Sequence, residues 1–508
     1  MKPAYTIAAA LLGSILAACG SSGTPLDTAA AEAARATFSL PLNHAGRWVT
    51  DAQGRVVILH GLNMVYKRPP YAPDAVGFDE DDAAFLAAEG YDTVRLGLIY
   101  KAVEPQPGAY DEAYLSRIAN TVDTLGRHGI VSLLDFHQDL YNEKFGGEGL
   151  PDWAVQDDGL PNQPQLDFTL DYFLEPGLNA AFTHFWNNDP AADGSGLQDH
   201  YAAAWRHVAT RLGGSPYVLG YDLFNEPWPA LQVATCLTPL GCPLFDSSLG
   251  AFTRRTVAAI RQADPRGLVW YEPNVIFNNG AATYVDTGGD AHAGFSFHDY
   301  CLIEPVSGSN LACDPFDDLV FNNAESHIAG TGDTLLLTEF GASDDASNLQ
   351  AMVDRADRFM AGWQEWHYCG CDDPTTTGPG DTQAIVLDPA KPPEGGNLKT
   401  AKLAILSRPH PRAVAGTPLS FGFDSGSGTF TLDYRTARAD GGGAFPAGSE
   451  TLVVLPARQY PQGYAVMVHG ASIVSAPGEM MLRLQSCAGA SEITVSVSRS
   501  GTTQQSCT

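Results

Sequence analysis

Two glutamates in this chain stand where a reacting bond can be held between them. Glu226 lies in Tyr221-Asp222-Leu223-Phe224-Asn225-Glu226-Pro227-Trp228, and Glu339 in Leu335-Leu336-Leu337-Thr338-Glu339-Phe340-Gly341. Each ends an apolar, strand-like run instead of lying on an open surface. Hydrolysis of a glycosidic bond passes through an oxocarbenium-like transition state and usually takes two carboxyl groups, one protonated and one ionised. Arg95 and Tyr300 are expected to hold Glu339 ionised and lower its pKa, while a less solvated Glu226 keeps its proton. Asn225 can donate to a sugar 2-hydroxyl, and Trp366 offers an apolar face to a pyranose ring.

Positioning these groups takes strands whose ends converge. Eight β-branched or apolar runs alternate with helix-like stretches, at Val56–Asn63, Thr93–Ile99, Ile130–His137, Val218–Glu226, Leu268–Pro273, Gly294–Tyr300, Thr334–Gly341 and Gly362–Tyr368. Alternation of this kind predicts α/β architecture with a parallel sheet. A doubly wound sheet usually stops at five or six strands and carries a Gly-rich phosphate turn, and no G-x-G-x-x-G opens a helix here. The runs also acquire ionisable or aromatic side chains at their C-terminal ends: Asn63, Arg95, His137, Glu226, Glu272, His298 to Tyr300, Glu339 and Trp366. That is where a (β/α)8 TIM barrel keeps its active site. In a closed barrel, the ends of the fourth and seventh strands face each other across the mouth, and these carry the two glutamates.

After Pro409-His410-Pro411 the pattern changes to alternating strands with Gly/Ser/Pro turns, at Leu419–Phe423, Thr429–Tyr434, Thr451–Leu455, Tyr464–Val468, Met480–Leu484 and Glu492–Val497. The expected organisation is a signal peptide at 1–18, a flexible tether at 19–40, a catalytic barrel at 41–407 and a C-terminal β-sandwich at 408–508. Between His137 and the helix near His200 lies a long insertion carrying Trp153, Phe168, Tyr172, Phe173, Phe182, Phe185 and Trp186. These rings can line a lipid groove or pack inside the loop, and both arrangements stay open at this level.

The charge balance narrows the partners. With 58 acidic against 29 basic residues among 508, the net charge of −29 repels nucleic acid and is unfavourable toward an anionic membrane. A neutral sugar is indifferent to it. The N-terminus supplies a membrane contact of another kind: Met1 and Lys2, an apolar stretch too short to span a bilayer, then Leu16-Ala17-Ala18-Cys19. This resembles a bacterial lipobox, which implies lipidation of Cys19, export, and a cell-surface or outer-membrane location with release from the cell as a variant. An ordinary signal peptide is the alternative, and it too implies export. Nine cysteines less Cys19 leave an even number, as an oxidising compartment would favour. The local pairs Cys236/Cys242, Cys301/Cys313 and Cys487/Cys507 suit loop-closing disulfides, with Cys369 and Cys371 as the remainder. Zinc is the rival use of these thiols, but no C-x-x-C pair or nearby histidine cluster supports it. No cofactor or metal is expected, and without heptads the default is a monomer.

Asn225-Glu226-Pro227 on the fourth run with Glu339 on the seventh resembles glycoside hydrolase family five, and Arg95, His298-Asp299-Tyr300 and Trp366 fit that family's pattern. The resemblance implies a retaining mechanism with Glu226 as acid/base, Glu339 as nucleophile, and Arg95, His298 and Tyr300 in support of the nucleophile. Longer strings narrow it: Asn63 to Tyr71, Asp135-Phe136-His137-Gln138-Asp139, Tyr141 to Lys144, Gly147 to Trp153, and Gly362 to Tyr368 look like endoglycoceramidases. These enzymes cleave the β-linkage between an intact oligosaccharide and ceramide, so the resemblance implies a glycosphingolipid substrate. Lys67, His137 and Asp139, together with Asn225, Tyr300 and Trp366, would bind the sugar. Glucosylceramidase, steryl-glucosidase and endo-β-glucanase chemistry are alternatives on the same scaffold. A surface glycan-binding lipoprotein without catalysis is an alternative of another class, although both glutamates are present.

Overall fold

The computed structural model describes residues 38–238, 240–300, 313–376 and 380–507. The expected signal segment, Cys19, most of the tether and Cys301 lie outside these residues. Phe38, read from the sequence as part of the tether, is buried among side chains at the base of the barrel.

A small hairpin, β1 (Asn43–Ala45) and β2 (Trp48–Thr50), precedes the barrel. Eight parallel strands then close on themselves: β3 (His60–Met64), β4 (Thr93–Ile99), β5 (Val131–His137), β6 (Val218–Asp222), β7 (Val269–Tyr271), β8 (Ala293–Asp299), β9 (Thr334–Phe340) and β10 (Trp363–Glu365), with β10 returning to β3. The fold is thus the (β/α)8 barrel read from the sequence. Burial of nearly every strand residue explains why the runs lack alternation, since a strand covered on both faces has no polar side. The first run is the exception in register. Val56 to Leu59 lead into β3: Val56 bridges Val414, and Val57 and Leu59 join an apolar cluster beneath the barrel.

The helices between the strands are set by local chemistry. The helix Glu80–Ala88 begins on Asp79, whose side chain accepts from the Asp81 N–H while Asp82 reaches back in a capping box, and acids fill its first turn. The helix Glu112–Arg127 starts on Asp111, whose side chain accepts from the Ala113 and Tyr114 N–H groups, and buries Leu115, Ile118, Val122 and Leu125.

The C-terminal region is a pair of antiparallel-based sheets: β11 (His410–Ala413), β14 (Glu450–Val454), β17 (Met481–Ser486) and β16 (Ala471–Ile473) in one, β12 (Thr417–Asp424), β13 (Thr429–Arg435), β18 (Glu492–Ser498), β15 (Ala465–His469) and β19 (Gln504–Ser506) in the other. The sequence reading missed β11, β16 and β19. The first carries Pro411 and the other two have three residues each, so pairing with neighbours, not intrinsic pattern, makes them strands. Cys487–Cys507 ties β19 in place, and Cys236–Cys242 and Cys369–Cys371 are also bridged. Cys313 is disulfide-bonded, while Cys301, its expected partner, is not among the described residues. No helix among the described residues is long and apolar enough to cross a membrane.

Candidate active site

The barrel's C-terminal mouth opens into a cavity of about 700 Å3, with Glu226 and Glu339 both on its lining. One oxygen of each carboxyl lies within 4.8 Å of the other and of a His298 ring nitrogen. A retaining pair stands about 5–5.5 Å apart and an inverting pair, which must admit a water, about 6.5–9.5 Å; the close approach of these oxygens suits the former.

Arg95 organises the floor. Its fully buried guanidinium donates to Glu339 Oε1 at 2.5 Å, Asp222 at 2.8 Å, Glu272 at 2.8 Å and Asn225 Oδ1 at 3.1 Å, and pairs with Asp135 at 3.0 Å. One cation thus faces four acids. Burial, only partly countered by Arg95 and reinforced by Glu272 and Asp135, pushes Asp222 up to about 8, well above the ordinary carboxylate range. Glu339 also receives the Tyr300 hydroxyl on its second oxygen at 3.1 Å.

Glu226 is held differently. Asn278 donates to its Oε1 at 2.7 Å and His298 Nδ1 to the same oxygen at 3.0 Å. Its backbone N–H donates to Glu272, and its φ of 45° lies in the left-handed region, unusual for a side chain of this size. Pro227 follows directly, and the turn swings the carboxyl into the mouth.

Two expectations need correction. Glu226 is the more solvated member of the pair, with its side chain 11% exposed against 6% for Glu339. Burial raises Glu339 above the ordinary carboxylate range, outweighing His298 and Arg95, and the nearby Glu226 pushes the same way. The donors from Arg95 and Tyr300 therefore limit the rise instead of producing a fall. Burial disfavours charge on His298, but Glu272, Glu339 and a hydrogen bond to Glu226 hold it protonated well above its usual range.

A polar wall stands beside the pair. Lys67 Nζ donates to Asp139 at 2.6 Å and to Thr375 at 2.7 Å, pairs with Asp373 at 3.3 Å, and sits over the Trp366 ring 4.6 Å from its centroid. His137 donates to Asp135 at 2.8 Å and stacks on Trp366 at 5.2 Å. Despite burial, Asp135 and Asp139 bring His137 up to about 10; burial opposes charge on Asp139 too, but Lys67 and His137 hold it below its ordinary range. Asn225 shares its amide between neighbours, donating to the Gln138 carbonyl at 3.0 Å, so one amide proton stays available to a ligand.

The structure thus gathers Lys67, Arg95, His137, Asp139, Asn225, Glu226, His298, Tyr300, Glu339 and Trp366 around one mouth, and adds residues that the sequence reading did not assign. Asn278 comes from the segment after β7. Asp373, Thr375 and Gln383 come from the stretch after β10, where Gln383 accepts from Trp366 Nε1 at 3.1 Å and donates to Asp373 at 3.0 Å. Only Glu272 had a signal, as a strand-end acid. Among the described residues three groups, His137/Asp139/Glu148, Glu226/His298/Glu339 and Asp135/Asp222/Glu272, are close enough to hold an ion. Lys67, His298 and Arg95 respectively already supply the positive charge in them.

The insertion divides its aromatic residues between the two roles left open. Phe168, Tyr172 and Phe173 line the cavity, with the Tyr172 hydroxyl accepting from the Leu140 N–H at 2.9 Å where this apolar wall adjoins the polar one. Phe182, Phe185 and Trp186 are buried in the core, and Trp153 packs on Tyr100 while donating to the Glu104 carbonyl at 3.0 Å.

Residues 50–370 match the model of the cellulase family (glycosyl hydrolase family 5), and residues 408–497 that of the glycoside hydrolase family 5 C-terminal domain. Endoglycoceramidase I of Rhodococcus hoagii (strain 103S) is 34% identical over 479 residues, covering 92% of this chain and 90% of that protein. Two solved structures of endo-glycoceramidase II from Rhodococcus sp. are also similar. Its lactosyl-enzyme intermediate is 28% identical with a TM-score of 0.71, covering 89% of this chain and 100% of that one. Its ganglioside GM3 complex is 27% identical with a TM-score of 0.71, covering 89% and 99%.

Proposed function

This chain belongs to glycoside hydrolase family 5, and on that premise we propose that it is a retaining endoglycoceramidase, releasing intact glycan and ceramide from glycosphingolipids. The observation that carries the reading is the position of the carboxyl pair, at the seam where the polar wall of Lys67, His137 and Asp139 meets the apolar wall of Phe168, Tyr172 and Phe173. A bond joining a sugar to a lipid has that division on its two sides.

In this reading Glu226 donates its proton to the glycosidic oxygen as the bond to the anomeric carbon breaks. Glu339 attacks that carbon from the opposite face and forms a glycosyl-enzyme ester, and ceramide leaves as the neutral alcohol. Glu226, now ionised, takes a proton from water as its oxygen attacks the same carbon, and Glu339 departs as carboxylate. Two inversions give retention. Arg95, His298 and the Tyr300 hydroxyl take up the charge that returns to Glu339, and are already in place before the reaction begins. Asn225 serves the 2-hydroxyl with its remaining amide proton, while Lys67, His137 and Asp139 bind the other hydroxyls and Trp366 the ring face.

We extend the proposal to an exported monomer anchored through Cys19, supported by the Leu16-Ala17-Ala18-Cys19 string and the disulfides, with a barrel at 41–407 and a sandwich at 408–508. The purified protein should release ceramide and intact glycan from glucosyl-, lactosyl-, ganglioside- or galactosyl-linked ceramides, read by mass spectrometry, and Glu226→Gln and Glu339→Gln should not. Silence across that panel with brisk cleavage of a β-glucan would sink the lipid reading.

A further inference from the structure

From Pro227 to Phe245 the chain runs through nineteen residues without a charge, in a protein whose net charge is −29. The segment would ordinarily fold its apolar residues inward. Instead Leu231, Leu237, Leu240 and Leu244 are 75%, 62%, 73% and 66% exposed, while Ala230, Cys236, Cys242 and Phe245 face the core. The Cys236–Cys242 bridge, with Cα atoms 4.3 Å apart, closes the loop that carries Leu237 and Leu240, while Leu231 stands on the turn before it and Leu244 on the helix after it. On its far side Gly241 lies so close to the next segment that a Cβ there would meet the Ala282 carbonyl oxygen at 1.8 Å. The outward presentation is therefore built in.

The loop is also continuous with the cavity. Its first turn, Ala230–Thr235, begins two residues after Trp228, which lines the cavity and takes the edge of Phe173 at a centroid distance of 4.9 Å. Beyond Phe173 the helix Phe168–Leu174 exposes Leu170 and Leu174. Exposed leucines thus stand on both chain segments that supply the apolar wall of Phe168, Tyr172, Phe173 and Trp228. Contiguous exposed patches of this kind mark contact surfaces, and leucines with no basic residue among them suit an uncharged lipid face better than an anionic one.

We propose that this rim docks on a lipid surface of neutral or zwitterionic headgroups, with the leucines on and beside the disulfide-closed loop as the part that enters it. What the docking serves rests on the glycolipid reading above; the docking itself rests on the loop. The test uses the full chain carrying Cys19→Ser, so that no acyl anchor contributes, beside the same chain with Leu231→Asp and Leu240→Asp added. Both are sedimented with phosphatidylcholine and with phosphatidylglycerol vesicles, and assayed on a soluble chromogenic β-lactoside and on lactosylceramide in phosphatidylcholine.

Binding to phosphatidylcholine should exceed binding to phosphatidylglycerol, and should fall about tenfold or more in the double variant. Turnover of the soluble lactoside should stay within about twofold, since neither leucine lines the cavity. Equal phosphatidylcholine binding by both proteins, or a preference for phosphatidylglycerol, would overturn the docking surface. If the aspartates lower soluble turnover, Leu231→Gln with Leu240→Gln decides by the same criteria. Leucine-dependent vesicle binding without ceramide release would fell the substrate reading and leave the docking intact; vesicle hydrolysis indifferent to the leucines would do the reverse.

Discussion

At the N-terminal end of the barrel strands, Asp92 accepts the His60 N–H at 2.8 Å and His410 Nε2 at 3.0 Å, Arg412 donates to the Gly129 carbonyl at 2.8 Å, and Arg408 meets Asp357 at 2.6 Å. These groups join the barrel to β11, and none of them lines the cavity at the mouth. At the C-terminal end the same residue types are buried just as deeply, but one guanidinium serves four acids and the oxygens of Glu226 and Glu339 face open space. Buried ion pairs are weak evidence of stability in themselves. What separates the two ends is balance: near-matched charges cement an interface, whereas at the mouth burial with a surplus of acids raises Asp222 and the acids raise His298, beside the Glu226 carboxyl that must give up and regain a proton.

The largest effect that would break this comparison is the loss of the carboxyl pair. Glu339→Ala should lower kcat by about 10^4-fold or more. Azide should then restore turnover with inverted product, whereas in Glu226→Ala it should give retained product on a substrate with a good leaving group. Reversal of those two outcomes would exchange the roles of the glutamates. Next come the two arginines. Arg95→Met and Arg408→Met should each cost about 3–5 kcal/mol of folding stability by denaturant unfolding. Only Arg95→Met should also cut kcat, by about 10^2-fold or more. A comparable fall in Arg408→Met would mean that the lower end is not purely structural.

His60 at the lower end and His137 at the mouth should titrate in opposite directions. Burial, with His410 and Arg408 nearby, holds His60 well below its usual range, so as pH falls below about 6.5 the unfolded chain binds a proton that the folded chain refuses. Stability is lost on the acid side, by up to about 1.4 kcal/mol per pH unit. His367 at the mouth, buried and accepting from the Val65 N–H, adds to the acid side, with its pKa lowered to about 4. His137 is raised to about 10, so its contribution is whole below pH 6.5 and erodes between 6.5 and 10. Thermal unfolding across pH should show His60→Gln flattening the acid limb and His137→Gln the alkaline limb. The smallest effect is expected from Gln383→Leu, which unties Trp366 from Asp373: KM should rise about tenfold with kcat within about threefold. A fall in kcat alone would mean that Gln383 acts on the reacting carboxyls instead of the sugar wall.

The eight barrel strands were legible because strands buried on both faces are uninterrupted apolar runs, and because polar residues accumulate at one end of each. The short sandwich strands were not, since Ala471–Ile473 and Gln504–Ser506 carry no pattern and owe their form to partners far along the chain. The same divide runs through the site. Glu339, Arg95 and His137 stand on strands, where a fixed period of two and a known barrel order place them, while Glu226, four residues beyond β6, is aimed by a left-handed turn that the Asn-Glu-Pro motif signals. Asn278, Asp373, Thr375 and Gln383 stand on connections, whose course is set by packing and not by local sequence.

The sequence by itself determined the barrel, the pairing of Glu226 with Glu339 across its mouth, and the polar set around them, because strand order fixes which ends face each other. The tertiary structure alone decided which glutamate is the drier, which aromatic residues of the insertion line the cavity, and that the leucines after Trp228 point outward. Each of these depends on the sum of many neighbours' burial and charge, a quantity that linear spacing does not contain.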